Sequence, residues 1–227
     1  MPKYKVFVGN RKLKAANPKL PCFIEYIQNT GTQYIDVNMP TDGTEYSVVM
    51  DISIVSFNSS DQPTFLTLFG LQGYIGIGST STKFSIWTSG STMFSTIDCY
   101  LNERYNVLCS INTSLDRGLS VNYETKKTSK GSINKTSYNI SFFGWKPVGS
   151  SLSYPPIMKL YGCKIYKNNK LERDFKPCFS NEIGHLGEPC LYDVLNGVYY
   201  YNSGTGTFLY GPSLDASYEK GIFIFSE

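Results

Sequence analysis

The chain has 227 residues, 41% hydrophobic and 17% charged, which excludes a disordered chain and allows one large core without staples. Aromatic content is 15%, with 18 Tyr and 14 Phe, while alanine occurs only at Ala15, Ala16 and Ala216; this argues against a helical protein and for strands joined by tight turns. The net charge of +3 is uneven: Lys3, Lys5, Arg11, Lys12, Lys14 and Lys19 all precede the first acid, Glu25, so the body is slightly acidic and is not a surface built for nucleic acid.

Residues 1–21 read as a basic arm. Two readings of it stand: a solvated terminus, or a segment that docks on an acidic partner surface. The opening MPKYKVFVGN lacks the apolar run of about 7–15 residues that a signal peptide needs. No stretch reaches the roughly 18 apolar residues that span a membrane.

Strand signals follow in order. FIEYIQN and QYIDVNM flank a Thr30-Gly31 turn. EYSVVMDISIVSF puts Tyr46, Val48, Met50, Ile52 and Ile54 on one face at a period of two, which predicts a long half-buried strand. TFLTLFGL and YIGIG come next. KFSIWTS sets Phe84 and Ile86 on one side and Trp87 on the other. TIDCYL and YNVLCSI are separated by an Asn102-Glu103 turn, and KKTSKGSINK reads as a solvated loop.

YNISFFGW opens a more regular second half. SYPPIMKLYGCKIYKNNKLERDF contains a hairpin whose Asn168-Asn169 turn tolerates the positive φ of a type I′ turn, and Asn196-Gly197 predicts another of the same kind. In LYDVLNG, alternation buries either Leu191, Asp193 and Leu195 or Tyr192 and Val194, and Asp193 is placed to hold the hairpin backbone through an Asx bond. Some dozen or more strands in a chain of this length predict two packed antiparallel sheets.

IEYIQNTGTQYIDVNM, KLYGCKIYKNNKLERDFKPC and CLYDVLNGVYYYNSGTGTF together resemble signature blocks of a large group of phage and gut-bacterial proteins with a concanavalin A-like (LamG-like) jelly-roll fold. The resemblance runs from about Phe23 to Pro212. It implies an all-β sandwich over 22–212, preceded by the 1–21 arm and followed by a 213–227 tail with an apolar tip. The fold serves lectins, glycanases, adhesion modules and virion fibres, so function has to be argued from the site.

Catalytic signals are weak. Glycanases of this broad fold carry Glu-x-Asp-x-x-Glu, with alternate residues aimed into one cleft. The comparable Glu172-Arg173-Asp174 lacks the third carboxylate and reads as a solvated strand face. No Gly-rich phosphate loop is present, because Gly204-x-Gly206 does not continue to a third glycine. The lone His185 sits in a turn-rich loop and reads as solvated or hydrogen-bonded. Cys22, Cys99, Cys109, Cys163, Cys178 and Cys190 form no CxxC and read as buried small hydrophobes, with a disulfide open between neighbouring strands. No catalytic residue, metal site or cofactor is expected.

What remains is binding. Tyr74, Trp87, Trp145 and Tyr200 are the candidates for stacking on sugar faces, although alternation sends about half of such rings inward. The resemblance implies first a non-enzymatic bacteriophage structural protein, a capsid decoration or fibre component. Its arm would dock on other virion proteins, and it would form a homo-oligomer, with a trimer as the form known for such fibres. The alternative is a carbohydrate-binding adhesin module for host surface glycans, on a virion or a bacterial surface. A glycoside hydrolase is the remote third reading.

Overall fold

The computed structural model describes residues 21–40, 45–57, 64–67, 73–77, 83–88, 91–111, 116–124, 127–130, 139–144 and 156–214. The basic arm and the apolar tip at 221–227 lie outside them. Among the described residues every regular element is a strand and every pairing is antiparallel.

The strands are β1 (Cys22–Phe23), β2 (Ile27–Gln28), β3 (Ile35–Pro40), β4 (Tyr46–Ser56), β5 (Thr64–Thr67), β6 (Gly73–Ile77), β7 (Lys83–Thr88), β8 (Ser91–Asp98) and β9 (Arg104–Ile111). The rest are β10 (Asp116–Val121), β11 (Lys127–Lys130), β12 (Asn139–Phe142), β13 (Ile157–Lys167), β14 (Lys170–Phe179), β15 (Pro189–Asp193), β16 (Val198–Tyr200) and β17 (Leu209–Tyr210). They form two sheets. The large one runs β11-β10-β9-β4-β13-β14-β15-β16, with β1, β2 and β17 attached; the small one runs β3-β12-β5-β6-β7-β8.

The period-two pattern of β4 fixes which face of the large sheet is inside. Tyr46, Val48, Met50, Ile52 and Ile54 are all buried, as expected, and Tyr105, Val107, Cys109 and Ile111 of β9 join them. The small sheet supplies Ile35, Val37, Phe84, Ile86, Ile140 and Phe142 from the opposite side. Aromatic edges lock the two layers. Phe142 meets Phe175 at 5.5 Å and 82°, and Phe84 meets Tyr105 at 5.0 Å and 64°, both in the edge-on geometry that ring quadrupoles favour.

Turn chemistry accounts for the hairpins with one correction. Asn168 and Asn169 have φ of 49° and 63°, so β13 and β14 are joined by the expected positive-φ pair. The Asn196-Gly197 turn is different. Asp193 pairs with Val198 across a four-residue loop, and only Gly197 in that loop takes a positive φ, 70°. Asp193 supplies the reason. Its buried carboxylate accepts from the Leu195 N–H at 3.1 Å, the expected Asx bond, and from the Asn196 amide at 2.6 Å, which holds a longer loop than a bare type I′ turn. Alternation selects Leu191 and Asp193 as the buried pair; Leu195 and Val194 are exposed.

Five cysteines are buried and Cys22 is half-buried; none of the six is in a disulfide. Cys178 and Cys190 face each other across β14 and β15 with sulfurs 3.6 Å apart.

Candidate functional site

The alternation of β13 breaks once. Met158 and Leu160 point inward, and so do Cys163 and Ile165, so the buried positions change parity between 160 and 163. A β-bulge against β4 between Leu160 and Gly162 absorbs the change. It leaves two consecutive residues, Tyr161 and Gly162, on the solvent face of the large sheet. Re-aiming a side chain in this way is what bulges do near functional sites.

At the same level β13 and β14 part. Their direct pairing ends at Cys163↔Phe175. Beyond it, residues 22–28 come in, pairing with β13 through Ile27 and Gln28 and with β14 through Cys22 and Phe23. A row of outward side chains is thus interrupted by a residue that has none, at the place where two strands diverge. The result is a groove of about 830 Å³, within the range of about 300–1,000 Å³ typical of small-molecule sites. Gly162 lines it; a Cβ there would sit 3.3 Å from the Phe175 carbonyl oxygen.

The walls combine rings with hydrogen-bonding groups. Phe23, Glu25 and Leu214 line one side, and Val49, Asp51, Arg104 and Asn106 another. The Arg104 guanidinium binds both Asp51 oxygens, at 2.8 and 2.7 Å, and its carbon lies 3.9 Å from the centre of the Tyr161 ring. Bidentate pairing and cation–π contact together hold Arg104 flat and fix Tyr161. Tyr26 packs edge-on to Tyr161 at 5.5 Å and carries Lys159 over its own face at 4.5 Å. The hydrogen bond to Asp51 raises the pKa of Arg104. Burial raises that of Tyr161, with the nearby Arg104 opposing it, so the phenol stays neutral and offers both a donor and an acceptor.

Asp174 and Lys176 border the groove from β14. Asp174 is therefore no ordinary solvated strand position. Its carboxylate lies 3.7 Å from Lys164 Nζ, whereas Glu172 of the same strand pairs with Lys170 at 3.3 Å.

None of the stacking candidates from sequence is among the residues that line this groove. Tyr74 and Trp87 are register partners on β6 and β7 of the small sheet. Trp145 lies outside the described residues, as do Lys3, Lys5, Arg11, Lys12, Lys14 and Lys19. Tyr200 packs inward, edge-on to Phe175 at 5.2 Å, because it shares parity with the core side of β16. Its neighbours are the outward rings. Tyr199 lies 4.8 Å from Tyr192 and 6.0 Å from Tyr201, and His185 stacks on Tyr201 at 4.0 Å. His185 Nδ1 is hydrogen-bonded to Glu188 Oε2 at 2.7 Å, which accounts for the lone histidine. Among the described residues no group of three His, Cys, Asp or Glu is placed to hold a metal, and no helix is long and apolar enough to cross a membrane.

No protein-family model matches the sequence, and no curated protein matches it. Among solved structures it is similar to a protein of Bacteroides ovatus described as carbohydrate-binding, with a TM-score of 0.61 and 15% identity over 86% of this chain and 62% of that one. The chain thus spans less than two thirds of that protein's length. It is also similar to the heptameric SAP-like pentraxin of Limulus polyphemus, with a TM-score of 0.53 and 8% identity over 85% of this chain and 94% of that one. At these identities the likeness establishes the fold. The chain is an all-β sandwich of two antiparallel sheets.

Proposed function

We propose that the protein is a carbohydrate-binding module and that a saccharide sits in the groove over Gly162. The observation that carries this reading is the bulge that turns Tyr161 and Gly162 outward together, placing a fixed ring beside a notch without a side chain. Saccharides need both: a flat apolar face for their C–H surface and a surround of donors and acceptors for their hydroxyls. Phe23 and the part of the Tyr161 ring that Arg104 does not cover supply the first, and Asp51, Arg104 and Asn106 the second. The carbohydrate-binding description of the Bacteroides ovatus relative supports the same reading.

In this reading the groove binds and does not cleave. Asp51 is held by Arg104 at 2.7 Å and Asp174 has Lys164 at 3.7 Å, so each of these carboxylates serves a cation rather than a second carboxylate. The virion role implied by the sequence resemblance depends on the 1–21 arm, and deleting that arm while measuring incorporation into particles tests it separately. Carbohydrate binding has the groove behind it and holds whether the module is displayed on a particle or on a cell.

A glycan array read with the unaltered protein and with Tyr161→Ala tests the proposal. Binding that falls at least tenfold in the variant, with thermal melting showing that it is folded, supports it. An array without hits, or hits indifferent to Tyr161→Ala, overturns it. Release of shortened saccharide from a bound glycan would overturn the binding-only part.

A further inference from the structure

The groove does not stand alone on its face. Strand register places Asn106 of β9 opposite Asp51 of β4, and Asp51 opposite Gly162 of β13. On the far side, Lys176 of β14 is opposite Tyr192 of β15, and Tyr192 is opposite Tyr199 of β16. Gly162 and Lys176 are each one step beyond the last β13–β14 pair, Cys163↔Phe175. These six positions therefore form one row across six neighbouring strands. Paired strands lie about 4.8 Å apart and β13 and β14 diverge at the Gly162–Lys176 step, so the row is at least about 24 Å long.

The row changes character along its length. Around Asn106, Asp51 and Gly162 it is the polar groove. Beyond Lys176 it becomes a track of rings. Phe23, in the groove wall, lies 6.4 Å from Tyr192, which lies 4.8 Å from Tyr199. Tyr192 and Tyr199 are half-buried, so part of each ring meets solvent. The Tyr199 hydroxyl is already used, donating to Asn181 Oδ1 at 2.5 Å, and next to it Tyr201 donates to Glu182 Oε2 at 2.6 Å. These bonds pin Tyr199 and Tyr201 before any ligand arrives, which lowers the ordering cost of binding, and Tyr192 is held by its ring contacts with Phe23 and Tyr199.

We infer that the groove and the Tyr192–Tyr199 track form one continuous strip, and that its ligand is a linear oligosaccharide of four or more units rather than a single terminal sugar. This rests on the carbohydrate-binding reading above and extends it. One sugar unit is about as long as one strand spacing, roughly 5 Å, so successive units meet successive positions of the row. The polar end fixes one unit by hydrogen bonds, and the rings take the flat faces of the following ones. A terminal-sugar site would have no use for pinned rings aligned with it strand by strand.

Calorimetric titration with ladders of gluco-, xylo-, manno- and chito-oligosaccharides, two to six units long, tests the strip. In a ladder that binds, affinity should rise at least tenfold from two to five units. Tyr192→Leu, which keeps bulk but removes the flat face, should lose most of that gain and leave the two-unit affinity within about twofold; Tyr199→Leu should do the same. Thermal melting of both variants confirms that they are folded. Affinity independent of length, or variants that weaken every length equally, overturns the strip and leaves the groove as a single-sugar site. If no ladder binds, the strip fails, and an empty glycan array as well removes the reading beneath it.

Discussion

Arg173 Nε lies 3.6 Å from Oδ2 of Asp193, a carboxylate with no solvent exposure. The separation is too long for a hydrogen bond, so the arginine contributes charge while others supply the bonds. Asp193 Oδ1 accepts from the Asp174 N–H and the Leu195 N–H, each at 3.1 Å, and Oδ2 accepts from the Asn196 amide at 2.6 Å. A single side chain thus ties the β15–β16 loop to β14. Asp193→Ala would strand these donors and leave Arg173 without its counter-charge, at a cost of about 3–5 kcal/mol in a urea titration. Asp193→Asn keeps the shape and part of the bonding and should cost about half as much. A loss below about 1 kcal/mol for the alanine variant would contradict this account.

Gly204 sits where the chain after β16 passes the turn between β2 and β3. A Cβ there would collide with the Thr32 carbonyl oxygen, a backbone atom with little freedom to move. The contact is held in place by Thr205 N–H donating to Thr32 O at 3.2 Å and by Ser203 N–H donating to Tyr34 O at 2.8 Å. Gly204→Ala should therefore lower stability by about 2 kcal/mol or more, through strain rather than lost contacts. A neutral result in thermal melting would show that this crossing is looser than described.

The sequence carried different parts of this molecule with different clarity. The inward face of β4 was legible because five apolar residues at a period of two admit one burial solution. The Asn168-Asn169 turn was legible because few residues accept positive φ. The destination of each strand was not. β2 and β3 look like hairpin partners across Thr30-Gly31, yet they lie in different sheets, as do β8 and β9 across Asn102, because pairing is decided by distant partners. The groove was half-visible. A glycine inside the otherwise apolar KLYGCKIY run is a bulge signal, but its meaning depends on where β14 and residues 22–28 go. Tyr200 shows a smaller version of the same limit: in a run of three tyrosines, composition is silent on parity, and the rings at Tyr199 and Tyr201 face outward instead.

Gly162 allows stability and binding to be separated. A methyl group there would lie 3.3 Å from the Phe175 carbonyl oxygen, tight but open to small adjustment. Gly162→Ala should cost about 1 kcal/mol or less in urea, since alanine also restricts the unfolded chain. Binding should suffer more, at least fivefold, because the methyl is added to the lining of the groove. Equal and small effects on both would mean that the notch is not where the saccharide rests.

Stability should fall on the alkaline side, and named phenols and a thiol say where. Tyr105 is 2% exposed; burial is the main cause that pushes its pKa up to about 12, and Tyr199 is raised to about 12 for the same leading reason. In the unfolded chain a tyrosine titrates near 10. Below that pH both states hold the proton and these groups contribute their full stabilisation. Between about 10 and 12 the unfolded chain releases protons that the folded chain keeps. Folded protein then binds more protons than unfolded, so stability declines as pH rises. Buried Cys99, raised from 9.0 to about 12 mainly by burial, opens the same window about one unit earlier. Urea midpoints should thus drop steadily from about pH 9 to 12. Tyr105→Phe should be less stable at pH 8, because it loses the hydroxyl that accepts from the Tyr100 N–H at 2.8 Å. It should also show a shallower alkaline decline, having removed one of the titrating groups. A midpoint unchanged up to pH 12, or a variant that keeps the full slope, would contradict the assignment.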